Sequence, residues 1–227
     1  CTDGTPETVK KQFPEIHIIN GDGNLYWSSG MRKAWDAASK AKDYDYYLWF
    51  NDDAELFENA LELIFEPITI YGDNIIVSGA FVDHNGKVSY GGRTISGILL
   101  AANGKLNEIY YLNGNLSLIP KNVYLRLGYI DYHYTHGLGD WDYGFRAQKL
   151  GFKILLTSSF VGITDRHDNN LSYYSKEYGI VKRWKLLYSP FHSPKTYFIF
   201  NLRYKGILSA LCYYLKQHFS FLTCHKI

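Results

Sequence analysis

Apolar positions along this 227-residue chain follow two periods. Spacing near 3.6 marks helices, and short runs rich in aromatic and β-branched residues mark strands. The opening Thr2-Asp3-Gly4-Thr5-Pro6-Glu7 reads as a loop entering a helix, with Thr5 as N-cap and Pro6 at the first helical position. A short strand over 16–19 and a polar, Gly-rich loop over 20–24 follow. Residues 29–40 predict a helix with Met31, Ala34, Trp35 and Ala38 on one face. The run Tyr46-Tyr47-Leu48-Trp49-Phe50 predicts a buried strand ending abruptly in Asn51-Asp52-Asp53, and 59–65 predicts a helix.

Further on, 75–79 predicts a strand, and 81–90 a hairpin turning at His84-Asn85-Gly86-Lys87, since Asn-Gly is a strong turn signal. Gly91-Gly92-Arg93 is a loop, 109–112 and 116–119 predict strands, and 121–127 a short helix closed by Gly128. Thr135-His136-Gly137-Leu138-Gly139 opens a helix over 140–150, stopped by Gly151, before a strand over 152–156. From Tyr173 the pattern is mostly helical, broken at Pro190 and Pro194. The alternation of helix and strand predicts an α/β protein with a mostly parallel sheet.

This length buries one substantial core, so a domain over 1–177 followed by a helical tail over 178–227 is the simplest division. Charge divides at the same place. The tail holds eight Lys and Arg and no acid, which leaves −6 on the first 177 residues of a chain whose net charge is +2. A basic, aromatic tail on an acidic body fits an anionic membrane surface; a solvated basic face is the plainer explanation. No nucleic-acid-binding motif is legible. Cys1, Cys212 and Cys224 are odd in number and lack metal-ligand spacing, which fits a reducing cytoplasm. Aromatics at 17 % suit sugar stacking, and equally a core.

Three groups carry candidate chemistry. Asn51-Asp52-Asp53 stands at the carboxyl end of a strand, where open α/β sheets bind ligands. Paired acids at a core edge call for a compensating cation such as Mg²⁺ or Mn²⁺ shared with a phosphate, or else cap a helix. Asp140, behind two glycines, can face a cleft and accept a proton, or serve as an N-cap. Asp142 and Arg146, four residues apart, make a helical ion pair. His167, in Thr164-Asp165-Arg166-His167-Asp168, is either a metal ligand or a surface histidine.

In their order and spacing these segments, with Thr2-Asp3-Gly4-Thr5, 24–34, Gly91-Gly92, Asn113-Gly114 and Gly139-Asp140-Trp141-Asp142-Tyr143-Gly144-Phe145-Arg146, resemble a known family over about residues 1–170. The chain resembles the inverting family 2 glycosyltransferases of GT-A fold, particularly the bacterial rhamnosyltransferase-like branch that builds surface polysaccharides. The resemblance implies that Asn51-x-Asp53 is a DxD-type motif, with Asp53 on the divalent metal of the donor diphosphate and Asp52 near the donor ribose or sugar. It implies Asp140 as general base and His167 as a further metal ligand. Asp3, Asn24, Trp27, Arg32, Gly91 and Gly92 would line the donor side, and Trp141 and Asp142 the acceptor side. Two departures stand out. Gly139 occupies a position where an acid is common, and the family's first strand, first helix and second strand have no counterpart here.

The implied reaction joins a nucleoside diphosphate sugar to a saccharide or lipid-linked acceptor, on the cytoplasmic side, with peripheral membrane contact through the tail. A metal-dependent phosphatase is a rival, although Asp53-Ala54-Glu55-Leu56 lacks a clean nucleophile set. A nucleotide-sugar- or carbohydrate-binding fragment without turnover is another.

Overall fold

The computed structural model describes residues 3–166 and 172–225. Its elements are α1 (Thr5–Gln12), α2 (Tyr26–Ala41), β1 (Tyr46–Phe50), β2 (Glu55–Leu56), α3 (Ala60–Tyr71), β3 (Ile75–Val82), β4 (Val88–Tyr90), β5 (Asn107–Glu108), β6 (Leu116–Pro120), α4 (Lys121–Leu127), α5 (Gly139–Lys149), β7 (Lys153–Ile163), α6 (Ile180–Leu187), α7 (Pro194–Lys205) and α8 (Ile207–Thr223). One sheet runs β1-β6-β3-β7-β2, with β4 added to β3 and β5 to β7.

The α/β class and flanking helices match the expectation, but a mostly parallel sheet does not. Among the described residues only β3 and β7 run parallel; the other pairings are antiparallel. Helix-strand rhythm reports the order of elements, not their direction. Here β6 arrives from the long excursion over 91–115 and inserts antiparallel between β1 and β3.

Both faces of the sheet centre are covered, which is why nearly all of β3 is buried. On one face Val77, Phe81, Leu116 and Leu118 meet Ala60, Ile64 and Ile68 of α3. On the other, Ile76, Ile119 and Ile154 meet an aromatic layer centred on Trp35 of α2. The Trp35 ring lies 5.2–5.7 Å from the rings of Tyr47, Trp49, Tyr124, Tyr129 and Tyr143. Much of the aromatic content is therefore core. Rings in tilted and edge-on contact add to the area they bury.

Several local expectations shift. The 16–19 run forms no strand; Ile16 and Ile19 are exposed and pair with no ladder. The 109–112 run is coil apart from a bridge at Tyr111, yet Ile109 and Leu112 are buried, so its apolar character reflects packing and not strand pairing. β1 is half-buried, not buried. Tyr47 and Trp49 point into the aromatic layer, while α3 covers the opposite face only at Tyr46 and leaves Leu48 and Phe50 exposed. Gly4 in a left-handed conformation, not Thr5, precedes α1. α3 continues past the buried Pro67 to Tyr71, the packing of Ile64 and Ile68 offsetting the lost backbone bond. The hairpin at Gly86 (φ 75°) and the short helix closed by Gly128 (φ 72°) form as the turn chemistry requires. Among the described residues no helix is long and apolar enough to cross a membrane.

Candidate active site

A turn at Asn113-Gly114-Asn115, just before β6, gathers the ends of three elements. Asn113 anchors it: its carbonyl accepts from Ser117 Oγ (2.6 Å), and its amide donates to the Gly79 carbonyl of β3 (3.3 Å). Asn115 reaches Asn51 at the end of β1. Asn51 N–H donates to the Asn115 carbonyl (3.0 Å), and Asn51 Nδ2 to Asn115 Oδ1 (2.6 Å). The other end of the Asn51 amide accepts from Trp27 Nε1 of α2 at 2.6 Å. Gly114 has to be glycine, because a Cβ there would lie 2.3 Å from the Trp27 ring. Its N–H points the other way, toward Asp140 Oδ2 at 3.3 Å.

Asp140 sits in the first turn of α5, with Leu138 in a left-handed conformation as the preceding cap. It is not itself the N-cap. Its Oδ1 accepts the Trp141 N–H at 2.8 Å. Burial pushes its pKa up to about 6, against the backbone N–H groups of Trp141, Gly114 and Asp140 itself, which favour the charged form. That lies within the range useful to a general base near neutrality. α2 fixes the loop before α5 from behind: Ser29 N–H donates to the Thr135 carbonyl (3.1 Å), and Ser28 Oγ to the His136 carbonyl. Gly139 packs directly on Ser28, whose Oγ would stand 2.4 Å from an added Cβ. A side chain at this position would have to displace Ser28 and Ile130.

The cleft in front of these groups has a volume of about 540 Å³. Of the residues predicted for the site, Trp27, Asn51, Asp53, Gly91, Asp140 and Trp141 line it. Trp141 stands edge-on to Tyr111, also in the lining, with ring centroids 4.8 Å apart. The other expectations lie elsewhere. Gly92 is buried against Ile109, where a Cβ would meet Cγ2 at 2.2 Å. Arg32 is spent on framework, donating to the Asp131 carbonyl (3.0 Å) and Ser29 Oγ (3.0 Å). Asp3 accepts the Thr5 N–H at 3.0 Å, and Asn24 is exposed with its N–H on Asp22 (2.8 Å). Asp52 is exposed and outside the cleft lining.

Asp142, expected at the acceptor, is fully buried. Its carboxylate accepts from Arg146 Nε (2.8 Å), Arg203 Nη1 (3.0 Å) and Tyr204 Oη (2.7 Å). The helical ion pair with Arg146 is present, and it extends to α7. His167 lies outside the described residues.

The structure adds cleft residues that sequence reasoning did not assign. Arg93 and Arg166 bring guanidinium groups, anchored on the Gly97 carbonyl (2.8 Å) and the Ser89 carbonyl (2.6 Å). His136 and Phe191 face each other across 4.4 Å between ring centroids, so the segment before α7 closes one side of the cleft. The Arg in Gly91-Gly92-Arg93 was a legible signal, as an arginine beside a glycine loop suits a phosphate. Phe191 gave none, because only the return of the tail brings it there.

No group of three His, Cys, Asp or Glu able to hold a metal occurs among the described residues. Among the described residues, Asp53 and Asp140 are the acids lining the cleft. One carboxylate suits a Mg²⁺-type ion that takes its remaining ligands from water and diphosphate oxygens. Asp53 with the two arginines fits that chemistry. After Asp53 the chain buries Ala54 and enters β2 at Glu55.

The chain shares its fold with solved glycosyltransferases. One, described as "Crystal structure of GalNAc-T7 with UDP, GalNAc and Mn2+", superposes with a TM-score of 0.57 at 11 % identity, covering 99 % of this chain and 49 % of that one. Another, "Mannosyltransferase PcManGT from Pyrobaculum calidifontis in complex with GDP-Man and Mn2+", gives 0.55 at 14 %, covering 98 % and 61 %. The chain thus spans about half to three fifths of these relatives. No curated protein matches it. Residues 2–129, more than half of the chain, match the family described as Glycosyl transferase family 2. With its GT-A-like fold and its cleft at the carboxyl end of β1, the chain belongs to glycosyltransferase family 2.

Proposed function

We propose that this chain moves a sugar from a nucleoside diphosphate donor to a hydroxyl of a saccharide or lipid-linked acceptor, with inversion, in surface polysaccharide synthesis. The observation that carries this reading is the pairing of Asp140 and Asp53 in one cleft, the first with its pKa raised to about 6. Asp140 takes the proton of the attacking hydroxyl while Gly114 and Trp141 N–H groups hold its carboxylate. A single in-line displacement needs one base and no covalent nucleophile, and it inverts the anomeric centre. Arg93 and Arg166, in the lining of the same cleft, attract the diphosphate. Asp53, with His167, would hold a divalent ion, Mg²⁺ or Mn²⁺; when bound it supplies Lewis-acid neutralisation of the leaving diphosphate. Trp141 offers a ring to the acceptor sugar. The two solved relatives carry UDP or GDP-mannose with Mn²⁺, which supports a donor of this class.

Calorimetric titration of UDP, dTDP and GDP with Mn²⁺ into the chain and its Asp53→Ala form tests the donor side. Metal-dependent binding lost in the variant is the expected result, and equal binding by both overturns the assignment. Asp140→Asn should keep nucleotide binding and lose transfer. A binding module without turnover would have no activity to lose.

A further inference from the structure

Helix α8 carries apolar side chains on both its buried and its exposed faces. Its buried positions are Ala210, Gln217, Ser220 and Phe221, while Leu208, Leu211, Leu215, Phe219 and Leu222 face solvent. Those five recur at intervals of three and four residues, a single stripe along the helix. Their exposure is high: Leu208 77 %, Leu215 64 % and Leu222 71 %. α6 adds to the same region. The Trp184 ring lies 5.5 Å from Phe221, Tyr188 Oη bonds His218 Nε2 at 2.9 Å, and Ile180, Val181 and Trp184 are themselves exposed. An apolar face of this extent on a helix that buries polar groups marks a binding surface.

Charge selects the occupant. No Asp or Glu occurs after Glu177. Lys182, Lys185, Lys195, Lys205 and Lys216 are exposed, whereas Arg183 and Arg203 are turned to internal partners at Tyr173, Asp131 and Asp142. Lys182, Lys185 and Lys216 lie on the two helices of this face and no carboxylate of α6 or α8 offsets them, so its charge favours an anionic partner over a second copy of the same face. An anionic bilayer supplies both needs, acyl chains for the stripe and headgroups for the lysines, whose long stems let the ammonium groups reach the headgroup level.

We propose that α6 and α8 form an interfacial membrane-binding surface, with α8 lying in the plane of an anionic bilayer and its Leu/Phe stripe inserted. The same tail reaches the site, where Phe191 lines the cleft and Arg203 Nη1 donates to Asp142 of α5. It would therefore present the cleft to an acceptor at the membrane. That consequence rests on the proposed transfer reaction; the surface itself does not.

Flotation of the purified chain with phosphatidylcholine vesicles, with and without phosphatidylglycerol, tests this without any turnover. Binding is expected to the anionic vesicles alone and to weaken as salt screens the lysines. Leu215→Gln and Phe219→Gln should each lower vesicle affinity about tenfold. Both side chains are exposed, so circular dichroism should be unchanged. The Asp53→Ala form, defective on the donor side, should float like the parent, which separates this surface from the donor reading. Failure to bind anionic vesicles, or equal binding to neutral ones, overturns the proposal. So does a concentration-dependent dimer abolished by the same two substitutions, which would assign the face to a second copy.

Discussion

The indole Nε1 of Trp27 donates to Oδ1 of Asn51 across 2.6 Å, which ties the start of α2 to the end of β1 at the floor of the cleft. Asn51 spends both ends of its amide, the other on Asn115, whose own Nδ2 is buried without a partner. Asn51→Ala removes an acceptor and a donor from half-buried groups and should cost about 1–3 kcal/mol in urea unfolding. Asn51→Asp should cost less. The carboxylate keeps the Trp27 bond, and Asn115 can rotate its amide so that the idle Nδ2 donates instead.

Asp140 gives a pH signature in both activity and stability. Its folded pKa of about 6 lies above the ordinary 3.8, so the folded protein holds this proton more tightly than the unfolded chain. The resulting stability is present below about pH 4 and is lost as pH rises through about 6. Relative to Asp140→Asn, the parent should therefore weaken over that window and stay level above it, as read by melting temperature. Transfer should fall on the acid side of about pH 6, and Asp140→Asn should lower it by about 10²- to 10⁴-fold.

Asp142 lies two residues from the proposed base yet serves the framework. Asp142→Ala leaves Arg146 and Arg203 without their shared carboxylate, in a site where Asp142 is fully buried. A loss of about 3–5 kcal/mol is expected in chemical denaturation. Arg203→Met should cost less, since Arg146 and Tyr204 still satisfy the acid.

Gly139 answers a packing demand. Gly139→Ala would drive a methyl into Ser28 Oγ and Ile130 Cγ2 and should destabilise the fold by about 1–3 kcal/mol. Ser28→Gly in the same background should restore part of that loss. A double-mutant cycle would then show coupling between the two sites.

Much of this was legible in the residues. The Trp35 stripe, the Asn85-Gly86 turn, the helix closed by Gly128 and the acidic end of β1 rest on local rules of periodicity and turn geometry, and they stand in the structure. The same rules failed where an apolar run had no ladder partner, as at 16–19, or where burial came from a lobe folding over, as at Ile109 and Leu112. Motif position placed Asp53 and Asp140 in one cleft but also nominated Arg32, Gly92 and Asp142, whose contacts are internal. Spacing along the chain does not say which way a side chain points.

By itself the sequence determined most of the longer helices and strands, the glycine-dependent turns and the placing of an acid after β1, because each follows from interactions within a few residues. Only the tertiary structure decided that the sheet is mixed, that Asn113-Gly114-Asn115 joins Trp27, Asn51 and Asp140, and that Arg203 and Phe191 return from the tail to the site. It also decided which face of α8 is turned outward. These depend on contacts between residues tens of positions apart, whose free energy arises from burial and hydrogen bonding in the assembled core and leaves no periodic trace in the chain.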